Sequence, residues 1–154
     1  MKLAIGCDEA GYRLKAIIKE HLAGRKDIEI TDFGVEEDGT ALYPDIAQKV
    51  AEAIRRGEFE RGILVCGTGI GMAMTANKVP GIRAAVCHDP YSTERSRKSN
   101  NAQIMCMGER VIGTELAKML VDLWLKCAFS GGGSAPKVKR MMEIEASYAR
   151  EKAE

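Results

Sequence analysis

The chain has no apolar run long enough to cross a membrane as a helix, no surplus of charge of either sign, no paired-cysteine motif and no internal repeat. Each absence removes a class of function. Its 23 Lys and Arg face 22 Asp and Glu, for a formal net charge of +1. That balance leaves no basic footprint for nucleic acid or an anionic membrane surface, so no nucleic-acid and no membrane partner is expected. The five cysteines, Cys7, Cys66, Cys87, Cys106 and Cys127, are odd in number and widely spaced. Without a C-x-x-C pair they indicate neither a zinc site nor a disulfide framework. A reduced, cytoplasmic protein with no metal and no cofactor is expected, and the first apolar segment reads as a strand rather than a signal peptide. The 154 residues suit one domain with a proper core.

What is present is organised around Ile63-Leu64-Val65-Cys66-Gly67-Thr68-Gly69-Ile70-Gly71-Met72. The apolar run predicts a buried strand of a parallel sheet covered on both faces, with Cys66 at its carboxyl end. Three alternating glycines and then a helical pattern over 72–78 follow. A strand, a glycine turn and a helix together aim backbone N–H groups and a positive helix terminus at a crevice. A thiol beside such donors suits proton transfer that generates an oxyanion. The plain alternative is that Cys66 only packs, as free cysteines commonly do.

Elsewhere the patterns alternate. Residues 2–7 predict a strand leading into Asp8 and Glu9, which either contact a ligand at the sheet's carboxyl edge or simply cap the helix that follows. Leu14, Ile17, Ile18 and Leu22 mark that helix. Residues 28–33 predict a second strand whose alternation places it toward an edge. Pro44 opens a helix striped by Ile46, Val50, Ala53 and Ile54. Residues 83–87 and 104–107 predict two more strands, with a polar helix or loop over 92–101 between them. An amphipathic helix includes Leu116, Leu120, Leu123 and Trp124. Residues 131–136 form a glycine-rich hinge, and 137–152 a final helix reaching a partner subunit. Strand and helix alternation predicts an α/β, doubly wound, Rossmann-like αβα sandwich with a five-stranded parallel sheet.

Six segments, Gly6-Cys7-Asp8, Asp32-Phe33-Gly34, Tyr43-Pro44-Asp45, Cys66-Gly67-Thr68-Gly69-Ile70-Gly71, Ala76-Asn77-Lys78-Val79-Pro80-Gly81-Ile82-Arg83-Ala84 and Gly113-x-Glu115-Leu116-Ala117, fall in order along the chain. Together they resemble the ribose-5-phosphate isomerase B family, which also holds the galactose-6-phosphate isomerase subunits. The resemblance implies a homodimer, often paired into tetramers, with shared active sites and metal-free aldose–ketose isomerisation through a cis-enediolate. It implies Cys66 as the base and Thr68 as the group assisting proton movement on the substrate oxygens. The amides of Gly67, Gly69, Ile70 and Gly71 become the anion hole, and Asp8, Tyr43 and Asn100 become substrate contacts.

Departures from the family pattern cluster on the substrate. Glu9 stands where the family has His, and Ser99 stands where it has the ring-opening His. Gly133 and Lys137 replace two phosphate-binding arginines, leaving Arg110 in place. A sugar phosphate is the expected substrate, either ribose 5-phosphate with its ketose or a shorter open-chain compound that needs no ring opening. A non-phosphorylated sugar, read by Glu9 and Ser99, is the alternative. Replacement groups are also conceivable, with His88 opening the ring and Lys137, Arg140 or Arg97 holding phosphate. A non-catalytic sugar-binding module belongs to a different class, against which the retention of Cys66 and Thr68 argues.

Overall fold

The computed structural model describes residues 1–151. Five parallel strands, β1 (Lys2–Cys7), β2 (Glu29–Asp32), β3 (Arg61–Cys66), β4 (Ala84–Val86) and β5 (Ile104–Gly108), form one sheet in the order β2-β1-β3-β5-β4. The helices are α1 (Tyr12–Leu22), α2 (Tyr43–Arg55), α3 (Ile70–Ala76), α4 (Pro90–Lys98), α5 (Thr114–Lys126) and α6 (Ala135–Glu151). The expected αβα sandwich is therefore found. No helix among the described residues is long and apolar enough to cross a membrane.

Leu14, Ile18 and Leu22 of α1 and Leu120, Val121 and Trp124 of α5 pack on the sheet face built by Leu3, Ile5, Ile63, Val65 and Met105. Ile46 and Val50 of α2 and Met72 and Ala76 of α3 cover the other face, built by Ala4, Leu64, Ile104 and Cys106. Coverage on both sides explains why β1, β3 and β5 are continuously apolar. β2 instead alternates exposed and half-buried residues, as befits the edge position found for it.

Local signals set several boundaries. The Asp89 side chain accepts from Ser92 N at 2.7 Å and Pro90 follows it, so α4 starts at Pro90, two residues earlier than the polar pattern suggested. Arg61 donates to the carbonyls of Trp124 (2.8 Å), Leu125 (3.0 Å) and Cys127 (2.7 Å), capping the end of α5. The expected hinge over 131–136 is partly ordered: Gly132–Ser134 is a 3₁₀ turn and α6 begins at Ala135. Pro136 lies in its first turn, where a missing N–H costs nothing. The expected helix end at Lys152 lies outside the described residues.

A buried ion pair ties β2 to α1. Lys15, 2% exposed, lies 2.9 Å from Asp32 and donates to Val35 O at 2.8 Å. Lys19 reaches Asp32 at 2.7 Å and Gly34 N donates to it at 2.8 Å. Burial pushes the Asp32 carboxyl up, but the bonds from Lys19, Gly34 and Lys15 outweigh it and hold the group below the usual carboxylate range. A depressed carboxyl stabilises the fold above its unfolded value near 3.9, and that contribution is lost as pH falls through the folded value. Urea titrations at falling pH should therefore show stability declining below about pH 4, with a shallower decline in Asp32→Asn. An identical decline in the variant would show that Asp32 has no part in it.

Candidate active site

Strand register brings three segments to one level. Cys7 pairs with Val65 and Cys66 pairs with Gly108, so Asp8, Cys66 and Gly108 stand side by side at the carboxyl edge. From β1 the chain turns into α1 on one layer, and from β3 into α3 on the other. Divergent loops of this kind open the crevice where ligands bind in parallel α/β sheets.

Cys66 is 5% exposed, and its Sγ accepts the Gly69 N–H at 3.1 Å. A donor aimed at sulfur stabilises negative charge there. Gly69 has φ +77°, and a Cβ on it would lie 2.9 Å from the Met107 backbone, so conformation and space both demand glycine. Thr68 is exposed beside it, its Oγ1 accepting from Ile70 N at 3.3 Å. Two of the four amides expected to form the anion hole, those of Gly69 and Ile70, are thus directed at the turn's own Cys66 and Thr68.

Two side chains from other elements lie against this turn. A Cβ on Gly67 would come within 3.1 Å of Arg110 Nη1, and one on Gly71 within 2.5 Å of Tyr43 Cζ. The Arg110 guanidinium and the Tyr43 ring therefore lie against the first and last glycines of the turn, Gly67 and Gly71. Backbone bonds lock the segment after β5 onto the same turn, Glu109 N to Cys66 O at 2.9 Å and Arg110 N to Gly67 O at 3.1 Å. The structure thus brings together Cys66, Thr68, Gly67, Gly69, Ile70, Gly71, Tyr43 and Arg110.

Asp8 caps the turn that follows it. Its Oδ1 accepts from Ala10 N at 3.0 Å and Gly11 N at 3.2 Å, while burial and the adjacent Glu9 charge push its carboxyl up. Glu9 is exposed, and its Oε2 accepts from Ala41 N at 3.2 Å, joining the first turn to the segment that delivers Tyr43. Its own backbone amide and that of Ala41 hold its carboxyl low.

Ser99, Asn100, Gly133 and Lys137 are not part of this assembly within one chain. Asn100 precedes β5, whereas Gly108 beside Cys66 ends it. Those four strand steps span about 13 Å at ~3.3 Å per residue. At the amino edge Asn100 lines a cavity of about 370 Å³ with Arg83, Met141, Met142 and Glu145. Lys137 lies one helical turn before Met141 on the same helix. Two replacement groups are otherwise engaged. Arg97, 8% exposed, donates to Ala102 O and lies over the Trp124 ring at 5.9 Å. Burial, with Arg61 and Arg83 nearby, lowers its pKa to about 10. His88 Nε2 accepts the Gly108 N–H at 2.8 Å, which commits that nitrogen to the backbone.

Glu109 was not singled out by sequence reasoning. Its Oε2 accepts Leu14 N at 2.9 Å, fastening α1 to the Cys66 edge. The available signal was the Gly108-Glu109-Arg110 turn, which follows a buried strand just as Gly67 follows Cys66.

Comparison with known proteins identifies the family. The profile described as Ribose/Galactose Isomerase matches residues 3–141. A Ribose-5-P isomerase B of Listeria innocua is 58% identical over 145 residues, covering 94% of this chain and 97% of that one. A D-erythrulose-4-phosphate isomerase of Pectobacterium atrosepticum is 52% identical over 142 residues, covering 92% and 93%. The solved structure of Clostridium thermocellum Ribose-5-Phosphate Isomerase B superposes with a TM-score of 0.92 at 49% identity, over 96% of this chain and 99% of that one. The site assembled on β3, the sheet that carries it and these matches along nearly the whole chain agree: this protein belongs to the ribose/galactose isomerase family of sugar isomerases.

Proposed function

We propose that the protein interconverts an aldose phosphate and its ketose, with the Cys66 thiolate moving a proton between C1 and C2 through a cis-enediolate. In the forward direction the sulfur takes the C2 proton of the open-chain aldose, and the C1–C2 π-bond forms as the carbonyl electrons move onto O1. The same sulfur returns the proton to C1, while a proton passes from O2 to O1 with the Thr68 hydroxyl assisting. The observation that carries this reading is the Cys66 sulfur at the strand end, receiving the Gly69 N–H inside the glycine turn. Arg110, whose guanidinium lies against Gly67, holds the substrate phosphate in this reading. Ser99, Asn100 and Lys137 complete the site from a second copy of the chain, since their own chain keeps them at the opposite sheet edge. Exposed Met141, Ile144 and Tyr148 on α6 provide an apolar face for that pairing.

The substrate we favour is a four-carbon sugar phosphate. The chain contains two histidines, and both are accounted for: His21 pairs with Asp122 at 2.9 Å on the surface, and His88 holds Gly108. Neither imidazole stands at position 99, where Ser99 replaces the ring-opening group of the family pattern. A tetrose 4-phosphate needs no such group, because its phosphate occupies the hydroxyl that furanose closure would use. The named Pectobacterium relative acts on such a compound, which supports this choice. Deuterium incorporation in D₂O, at C2 of an aldose and C1 of a ketose, should therefore run with kcat/KM about tenfold or more higher for a tetrose 4-phosphate and its ketose than for ribose 5-phosphate, whose opening lacks its acid. Equal or greater efficiency on ribose 5-phosphate would overturn the four-carbon assignment, and exchange confined to unphosphorylated sugars would overturn the phosphate.

A further inference from the structure

β4 stops at Val86, which pairs with Cys106, and Cys87 N still donates to Cys106 O at 2.9 Å. Two residues on, the register sets His88 beside Gly108, where a continued parallel ladder would offer Gly108 N–H a backbone carbonyl. The chain instead turns into α4, and the acceptor becomes a side chain: Gly108 N donates to His88 Nε2 at 2.8 Å. Gly108 is also the register partner of Cys66. A Cβ on it would lie 2.5 Å from Thr68 Cα and 2.7 Å from Gly67 O, so its backbone presses directly on the turn that follows Cys66. One imidazole just beyond the edge strand therefore fixes the surface against which the Gly67–Thr68 peptide rests.

We propose that His88 is a positioning residue for the isomerisation: as a neutral imidazole it holds Gly108, and through Gly108 the Cys66–Thr68 turn, without touching substrate. Acceptance at Nε2 leaves the ring proton on Nδ1. Burial lowers the His88 pKa against the opposing pull of Asp89, which keeps the ring neutral at physiological pH. Besides Asp89, the titratable groups at the neighbouring strand ends are Cys87 just after β4, Cys106 on β5, Glu109 and Arg110 after Gly108, and Cys66. Protonation would put an N–H on Nε2 facing the Gly108 N–H. Two donors cannot share the contact, so Gly108 would be released and the turn loosened.

The kinetic arm rests on the isomerase reading; the spectroscopic arm does not. His88→Gln offers an acceptor that does not titrate, and His88→Ala offers none. The Gly108 amide ¹⁵N shift of the wild type is expected to titrate with a midpoint below about 6.5 and to be flat in His88→Gln. In turnover of a tetrulose 4-phosphate, kcat of His88→Ala should fall about 10–100-fold with KM within about threefold, while His88→Gln keeps most of kcat and loses that part of the acid limb. A Gly108 shift indifferent to pH and to His88→Gln overturns the proposal even if no sugar is turned over. So does an unchanged acid limb in His88→Gln, whether or not His88→Ala folds.

Discussion

Cys66→Ala is expected to lower kcat by about 10²–10⁴-fold, the range that a positioned general base contributes. The fold should survive, because the change removes one small atom at a strand end whose neighbours stay in place. Cys66→Ser is the sharper variant: its hydroxyl still accepts the Gly69 N–H but is a far weaker base, so an equally large loss would separate basicity from geometry. Far-UV circular dichroism and urea midpoints establish folding, and C2 exchange in D₂O measures the chemistry. Near-normal turnover in both variants would remove Cys66 from the reaction. The same variant tests subunit sharing. Mixed with a crippled Asn100→Ala protein, each two-fold pair of unlike chains regains one intact site, so about a quarter of wild-type activity should return. No recovery after verified subunit exchange would mean that each chain works alone.

The second large effect concerns Gly11, which joins the first turn to α1. A Cβ there would lie 2.5 Å from the Val65 carbonyl carbon and 2.9 Å from Cys66 N. Those atoms are backbone in the middle of the sheet, so no rotamer change relieves the clash. Gly11→Ala should destabilise the protein by about 1–3 kcal/mol or more, the cost of forcing extra atoms into a packed interior. Its activity should fall too, because the displaced peptide is the one that carries Cys66. Gly24→Ala is the control: nothing lies within 4 Å of its added methyl, and it should be neutral or slightly stabilising, by up to about 1 kcal/mol. Equal urea midpoints for the two variants would show that the β3 end yields more readily than its contacts imply.

Much of this architecture was legible before the fold was known. The run from Lys2 to Cys7 matched β1 because a doubly covered strand has nothing to alternate with, and β2 betrayed its edge position by alternating. The helix after the glycine turn starts at Ile70 rather than Met72 because Gly69, in a left-handed conformation, caps it directly. The Asp89-Pro90 pair was a start signal obscured by the strand before it, and Pro136 was one obscured by its glycines. The turn proposed as catalytic could be read from Cys66 to Gly71, since residues adjacent in sequence supply the thiol, the hydroxyl and the donors. Contacts between distant segments could not. Nothing in the spacing of Tyr43 or Arg110 shows that they lie against Gly71 and Gly67, and nothing marks His88 as the acceptor for Gly108. The separation of Ser99, Asn100 and Lys137 from Cys66 depends on which end of β5 each segment meets, a property of topology rather than composition.

The strand order also governs how the chain comes into being. β5 is the last strand synthesised, yet it lies between β3 and β4. On the ribosome β4 must therefore wait without a neighbour until residues 104–108 have emerged, and β3 meanwhile exposes an unpaired apolar edge. The segment carrying Cys66 is thus made early and finished late. Its glycine turn gains the Gly108 backbone it rests on only when β5 slots into the gap, so the Cys66 turn and the sheet are completed in a single step.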